Sequence, residues 1–383
     1  MRILTALTYY RPHFSGLTIY AERLARALVA RGHQVTVLTA RYDPTLPAQE
    51  VQDGVEVRRL GVLMRVSKGV LMPSMPFWAW KVARQADLVH LHLPQLDAAP
   101  IAMIARLLGK PVVLTYHCDL RLPDGLVHRT ANQVSHLANA LSARLAQRIV
   151  VNSLDYAENS AFLHPYLSKL HAIAPPVELP AITSDELAAF QRKINLQPGQ
   201  RLIGMAARLA TEKGVETLVQ AVPMLLQHYP SLRVLYQGQY QNVLGEEAYA
   251  RKLAPLIQAL GGHWTFLGNL SPAEMSAFFR ACEVTVLPSL NSTESWGIVQ
   301  VESMSCSTPV IASDLPGVRM PVKLKGMGRI VPPADAGALA DAIREVLEKP
   351  QAYRGDAQII ARQFSPENVA AQYEDLFQQV LPG

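Results

Sequence analysis

Arg201-Leu-Ile-Gly-Met-Ala206, then Ala207-Arg-Leu-Ala-Thr-Glu-Lys-Gly214, then the run Val215–Tyr229 open the second half of a 383-residue chain. The first segment is mostly apolar and of strand length. The second is a polar loop, the third repeats at helical spacing, and Leu232–Tyr236 supplies the next strand. The same order occurs at the start of the chain. Arg2–Leu7 reads as a short buried strand, and a loop with Pro12 and Gly16 follows. Leu17, Tyr20, Ala21, Leu24, Ala27 and Leu28 then recur at helical spacing up to Gly32, which is placed as a C-terminal cap. Gln34–Thr39 is the next strand. Such β-loop-α-β units favour parallel sheets. Further strands are expected at Gly54–Arg59, Leu88–His92, Val112–Tyr116, Arg148–Asn152, Trp264–Leu267, Val284–Pro288 and Pro309–Ala312. Pro175, Pro176 and Pro180 mark a break at Ala174–Ile182. The fold class is therefore α/β, with two doubly wound domains facing each other across a cleft, over residues 1–178 and 183–365. Ligands of such sheets bind beyond the carboxyl ends of the strands. Ser365 caps a last helix, Pro366–Val380, with proline in its first turn.

Composition narrows the class. At about 150 residues per domain, the length suggests two or three domains. Hydrophobic residues make up 49% and charged residues 17%, which excludes a disordered chain. The longest apolar runs, such as Ala98–Ala105, fall well short of the roughly 20 residues that span a bilayer. Met1–Leu7 is too short for a secretory signal, so a cytoplasmic location is expected. Cys118, Cys282 and Cys306 have neither metal-type spacing nor the number for a disulfide framework. Thirty-six Lys and Arg against 31 Asp and Glu give 36 − 31 = +5. That surplus fits a phosphate-bearing ligand, an anionic membrane surface, or ordinary solvated side chains. No nucleic-acid partner is expected.

The most informative chemistry is Glu294-Ser-Trp-Gly-Ile-Val-Gln-Val-Glu302. A turn at Asn291–Glu294 leads into a helix near Gly297. At 3.6 residues per turn, eight positions put both carboxylates on about the same face, ~12 Å apart along the axis. That exceeds the roughly 5–9.5 Å of paired-carboxylate hydrolases. It suits a nucleotide sugar, with one acid at the sugar and the other at the ribose. The plain alternative is a helix with two surface glutamates. Arg208 and Lys213 bracket the loop that precedes a helix N-terminus, where free N–H groups favour phosphate. An arginine fork and a lysine point charge suit a diphosphate. Gly16 occupies the matching loop of the first half, where glycine lets backbone approach phosphate or simply makes a turn. His117, just past a strand end, suits a sugar hydrogen bond, and Asp119 beside it suits an acceptor or an orienting role. His90 and His92, in an apolar strand, read as structural.

Other signals are missing. The chain has no Asp-x-Asp, no phosphate-binding Gly-x-x-x-x-Gly-Lys-Ser/Thr, no Gly-x-Gly-x-x-Gly in its first loop, no His/Cys zinc array and no Gly-x-Ser-x-Gly. No metal site or cofactor is expected.

These residues resemble the retaining glycosyltransferases of family 4, with the GT-B fold. The resemblance rests on Gly16, His117, Arg208, Lys213, the Glu294–Glu302 segment and Ser303-Met-Ser-Cys-Ser-Thr-Pro309 after it. It implies two Rossmann-like domains, the donor held mainly by the second, and a C-terminal helix (366–383) crossing back to complete the first. It implies that Arg208 and Lys213 bind the donor diphosphate and that Gly16 offers backbone to the same phosphates. Glu294 would hold sugar hydroxyls and Glu302 the ribose. Backbone at Trp296, Gly297, Ile298 and Val299 would contact sugar and phosphate. Leu267 would meet the base through its backbone, and His117 would touch the sugar at the reacting centre. The sequence departs from the family pattern at Ser15 and Ser307, where glycine is common, at Gln237-Gly238-Gln239, and at Ser313–Arg319.

The expected reaction is hexose transfer from a UDP- or GDP-sugar to a glycan, lipid-linked or small-molecule hydroxyl, with retention and without metal. The competing readings are a sugar-nucleotide epimerase, a phosphorolytic enzyme, and a non-catalytic nucleotide-sugar-binding protein. Gly61–Arg84 sets Arg65, Lys68, Lys81 and Arg84 among Phe77, Trp78 and Trp80. Such a stretch suits peripheral contact with the inner face of a membrane, or an ordinary amphipathic helix packed into the first domain.

Overall fold

A computed structural model describes residues 1–66, 69–119 and 126–381. Lys68, counted above in the basic aromatic stretch, and residues 382–383 lie outside the described residues. The chain divides into two compact units, Met1–Pro176 with Phe364–Gly383, and Val177–Gln363.

In the first unit, strands run β1 (Arg2–Ala6), β2 (Gln34–Arg41), β3 (Gln49–Gln52), β4 (Val55–Gly61), a small hairpin of β5 (Met64–Val66) and β6 (Gly69–Leu71), then β7 (Leu88–Leu93), β8 (Val112–Tyr116), β9 (Arg148–Val151) and β10 (Leu170–Ala172). Eight of them form one sheet in the order β10-β9-β8-β7-β1-β2-β4-β3. All pairs are parallel except β3 on β4. Every residue of β7 and β8 is buried, because helices cover both faces of the sheet. The strand order reverses between β1 and β7, β1 pairing β2 on its other side.

The C-terminal helix Pro366–Val380 belongs to this unit and packs beside the helix Gly16–Ala30. Sequence dictates that docking. Val369, Ala370, Tyr373, Leu376 and Phe377 recur at helical spacing and are all buried. Ser365 caps the helix by accepting from the Asn368 N–H. A buried chain of hydroxyls fixes the register. Tyr373 OH bonds Tyr20 OH at 2.6 Å and Thr115 Oγ1 at 2.7 Å, and Thr115 Oγ1 bonds His90 Nε2 at 2.7 Å. Tyr373→Phe strips partners from two buried hydroxyls. It is expected to lower stability by about 1–3 kcal/mol in urea unfolding. No loss would show that the hydroxyl chain contributes nothing to holding the helix.

The second unit contains β11 (Leu202–Ala206), β12 (Arg233–Gln237), β13 (Trp264–Gly268), β14 (Val284–Leu287), β15 (Val310–Ser313) and β16 (Gly328–Val331). They form a wholly parallel sheet in the order β13-β12-β11-β14-β15-β16. The helices Val215–Leu226 and Ala336–Glu348 cover one face, and Ser184–Lys193 and Pro272–Ala281 cover the other. The order reverses between β11 and β14, so the loops after these two strands flank a topological switch point.

Candidate functional site

The loop after β11 carries Arg208 and Lys213. It is tied to the neighbouring segment by Ala207 N–H to Gln237 O at 2.9 Å and Leu209 N–H to Gln239 O at 2.8 Å. It ends in a single turn, Thr211–Lys213, and Gly214 then adopts φ +64° before the helix Val215–Leu226. The loop after β14 carries Glu294. Its Asn291 Oδ1 accepts from Thr293 N–H at 3.1 Å, and Asn291 O accepts from Glu294 N–H at 3.3 Å. Leu290 N–H donates to Glu212 O at 3.0 Å, so the two loops share a backbone bond.

Strand adjacency therefore joins two residues that lie far apart in the chain. Lys213 Nζ contacts Glu294 Oε2 at 2.5 Å, with both side chains largely shielded. Arg208 Nη2 contacts Glu212 Oε1 at 3.1 Å, and Arg208 is more exposed. Both cations thus rest on carboxylates at the switch point. Gln300, fully buried, was not singled out by sequence. Its Nε2 donates to Trp296 O at 2.6 Å and to Val318 O at 2.8 Å, and so pins the segment that follows Glu294.

One expectation is corrected. Glu294 and Glu302 do not share a helix face. Gly297 takes φ +78°, and the helix begins only at Ile298, so Glu294 stands in the loop and the two-turn arithmetic does not apply. A Cβ at Gly297 would meet Leu287 Cδ2 at 2.2 Å, so the backbone needs glycine there. Glu302 lies within the helix and is 7% exposed. Its charge sits close enough to Cys306 to add to the burial that pushes that thiol up to about 12. Leu267 lies on the edge strand β13. The β12–β13 ladder steps from Phe266 to Gly268, so Leu267 is the extra residue of a bulge.

In the first unit, Gly16 is the first residue of the helix Gly16–Ala30, behind a capping box made by Ser15 and Thr18. Beyond its chain neighbours and the backbone of its own helix, no described atom lies within 4 Å of a Cβ built at Gly16. Ser15 thus has its own local purpose, capping this helix. His117 is buried, and its Nε2 bonds His92 Nδ1 at 2.9 Å. Its ring stands edge-on to Tyr20 with centroids 4.9 Å apart. Burial lowers its pKa to about 3, so the imidazole is neutral at physiological pH. His92, read as structural from sequence, is thus a direct partner of His117. Asp119 Oδ1 accepts from Tyr116 OH at 2.8 Å and Ser160 Oγ at 2.7 Å. Among the described residues, no cluster of three His, Cys, Asp or Glu side chains is placed to hold a metal. No helix among them is long and apolar enough to cross a membrane.

Residues 15–176 match the family model "Glycosyl transferase 4-like domain", and residues 188–363 match "Glycosyl transferases group 1". The chain is 28% identical over 337 residues to a phosphatidyl-myo-inositol mannosyltransferase of Mycobacterium leprae, covering 87% of this chain and 83% of the relative. It is 26% identical over 357 residues to a D-inositol 3-phosphate glycosyltransferase of Acidothermus cellulolyticus, covering 87% and 78%. The crystal structure of Anabaena HepE in complex with UDP-glucose is similar with a TM-score of 0.78 and 20% identity, covering 99% of this chain and 100% of that chain. With both halves matched in order over two parallel-sheet units, the chain belongs to the group 1 glycosyltransferases of family 4 type and has the GT-B fold.

Proposed function

We propose that the chain transfers a hexose from a UDP- or GDP-sugar to a hydroxyl of a glycan, lipid-linked or small-molecule acceptor, with retained anomeric configuration and without metal. The observation that carries this reading is the Lys213–Glu294 contact at the switch point of the second sheet. A diphosphate competes with Glu294 for Lys213 and with Glu212 for Arg208, because its two linked anionic phosphates offer charge-assisted hydrogen bonds to both cations at once. Glu294, so released, turns its acceptor oxygens to the sugar hydroxyls. Backbone at Trp296, Gly297, Ile298 and Val299 meets sugar and phosphate. Glu302 takes the ribose, and the bulge at Leu267 offers backbone to the base. In the first unit, Gly16 gives phosphate an unobstructed backbone and His117 bonds the sugar as a neutral imidazole. Asp119, held by Tyr116 and Ser160, serves the acceptor.

Fixed positive charge at Arg208, Lys213 and the helix N-termini stabilises the departing diphosphate. The departing phosphate oxygen takes the acceptor proton on the same face. A UDP-glucose complex of HepE and the inositol-linked activities named for two relatives support a nucleotide-sugar donor and a hydroxyl acceptor. NMR of the product, run with and without EDTA, checks both finer claims. Retained configuration at an undiminished rate is expected. An inverted anomer or an EDTA-abolished rate overturns the corresponding claim, and donor epimerised without acceptor favours the epimerase.

We place the acceptor domain at the cytoplasmic face of a membrane. The helix Met75–Ala83 leaves Phe77 58% and Trp80 45% exposed, with Leu63, Met64 and Leu71 exposed nearby. Arg84 stacks over Trp80 at 4.7 Å, and Lys81 over Trp78 at 4.8 Å. Phe77→Ser with Trp80→Ser is expected to reduce co-sedimentation with phosphatidylglycerol vesicles at least tenfold. Equal sedimentation removes this address.

A further inference from the structure

The first sheet has its own switch point, between β1 and β7. The chain leaves β7 through Pro94-Gln95-Leu96-Asp97 and enters the helix Ala98–Leu107. Two polar side chains on this short connection are buried: one is unpaired and the other makes no capping bond. Gln95 is 4% exposed, and neither its Oε1 nor its Nε2 has a hydrogen-bond partner. Asp97 is 9% exposed and stands at the helix N-cap, yet its carboxyl makes no capping bond. Burial alone raises its pKa to about 6. The backbone here is anchored from another element: Asn139, itself buried, accepts from the Gln95 N–H at 3.4 Å. An orphaned buried polar group costs about 1–3 kcal/mol. Gln95 leaves both of its polar side-chain atoms in that state, and Asp97, two residues on, adds a largely buried carboxyl without a capping bond. They lie at the position where doubly wound sheets take their ligands.

We propose that Gln95 and Asp97 form the hydroxyl-recognition subsite for the acceptor, and that the acceptor is a polyol presenting adjacent hydroxyls. The inference rests on the glycosyl-transfer reading above. The Asp97 carboxylate accepts from one hydroxyl. The Gln95 amide accepts through Oε1 and donates through Nε2, so it serves the neighbouring hydroxyl in either direction. A vicinal diol offers the complementary set and satisfies the Gln95 amide and the Asp97 carboxylate at once. An apolar acceptor would leave them unpaired, which is how such a site discriminates.

The test uses the full chain, with myo-inositol and methyl α-D-mannoside as polyol probes and UDP as the donor-side probe. Saturation-transfer NMR reads polyol binding, and thermal shift reads UDP. Gln95→Met and Asp97→Asn are each expected to weaken polyol binding at least tenfold and to leave the UDP shift unchanged. Gln95→Met also removes an orphaned amide from the interior, so Tm of the ligand-free chain is expected to rise by about 2–4 °C. A fall in Tm would mark Gln95 as a structural group and overturn the proposal. Polyol binding undiminished in both variants overturns it too, as does a wild-type chain that binds UDP and neither polyol. Failure of the wild type to bind both UDP and, in the same thermal-shift assay, GDP counts instead against the glycosyl-transfer reading, and the polyol arm still judges the subsite.

Discussion

Lys213→Ala is expected to lower kcat/KM by about 10²–10³-fold while the chain stays folded. That is the range for removing one group aimed at charge that develops in the transition state. The departing diphosphate gains charge as the sugar bond stretches, and the Lys213 ammonium is fixed at the switch point by a 2.5 Å contact with Glu294. Little conformational entropy remains to be lost when phosphate replaces the carboxylate. Arg208 does not substitute, because its own carboxylate partner Glu212 sits in the same loop and its side chain is more open to water. Glu294→Gln separates the two functions of the pair. The amide still bonds sugar hydroxyls but no longer competes with phosphate for Lys213. The double variant measures the coupling, since residues in contact do not give additive effects. Steady-state kinetics with circular dichroism as the folding control decide the matter. A Lys213→Ala chain with wild-type kcat/KM would remove Lys213 from the diphosphate site.

The strand-loop-helix opening of each half was legible because both strands are buried on both faces and therefore read as apolar runs. Strands missed in sequence lie where that signal fades. Gln49–Gln52 is a polar edge strand, and Leu170–Ala172 has three residues. At the site, residue types were legible and their pairing was not. Lys213 and Glu294 were each assigned to the donor, but their contact follows from β11 lying next to β14, which no local pattern encodes. The face shared by Glu294 and Glu302 was inferred from an unbroken helix, and the left-handed Gly297 breaks it. His92 looked like a core residue because its strand is apolar, and only three dimensions show its bond to His117. Gln95 and Asp97 gave no sequence signal at all. Their distinguishing property is a missing partner, which appears only once the neighbours are known.

Gly214→Ala is expected to disrupt the second unit strongly. Gly214 has φ +64°, and a Cβ there would stand 2.0 Å from Pro288 O and 3.1 Å from Leu290 Cδ2. The first obstacle is backbone of the loop after β14, which cannot rotate away as a side chain could. The added methyl must push apart the two loops that the Leu290 N–H to Glu212 O bond holds together. Strained backbone and overpacking each account for about 1–3 kcal/mol, so a loss of about 2–6 kcal/mol in urea unfolding is expected. Activity falls with it, because the displacement that relieves the clash also separates Lys213 from Glu294. Gly16→Ala supplies the contrast. Beyond its chain neighbours and its own helix backbone, nothing described lies within 4 Å of its Cβ. Stability should therefore stay within about 0.5 kcal/mol of wild type, as for a surface substitution away from special features. Any loss of transfer in Gly16→Ala must then come from a ligand meeting the methyl. A stable, fully active Gly16→Ala chain removes Gly16 from the phosphate site, and a stable Gly214→Ala chain shows that the two loops are not in rigid backbone contact.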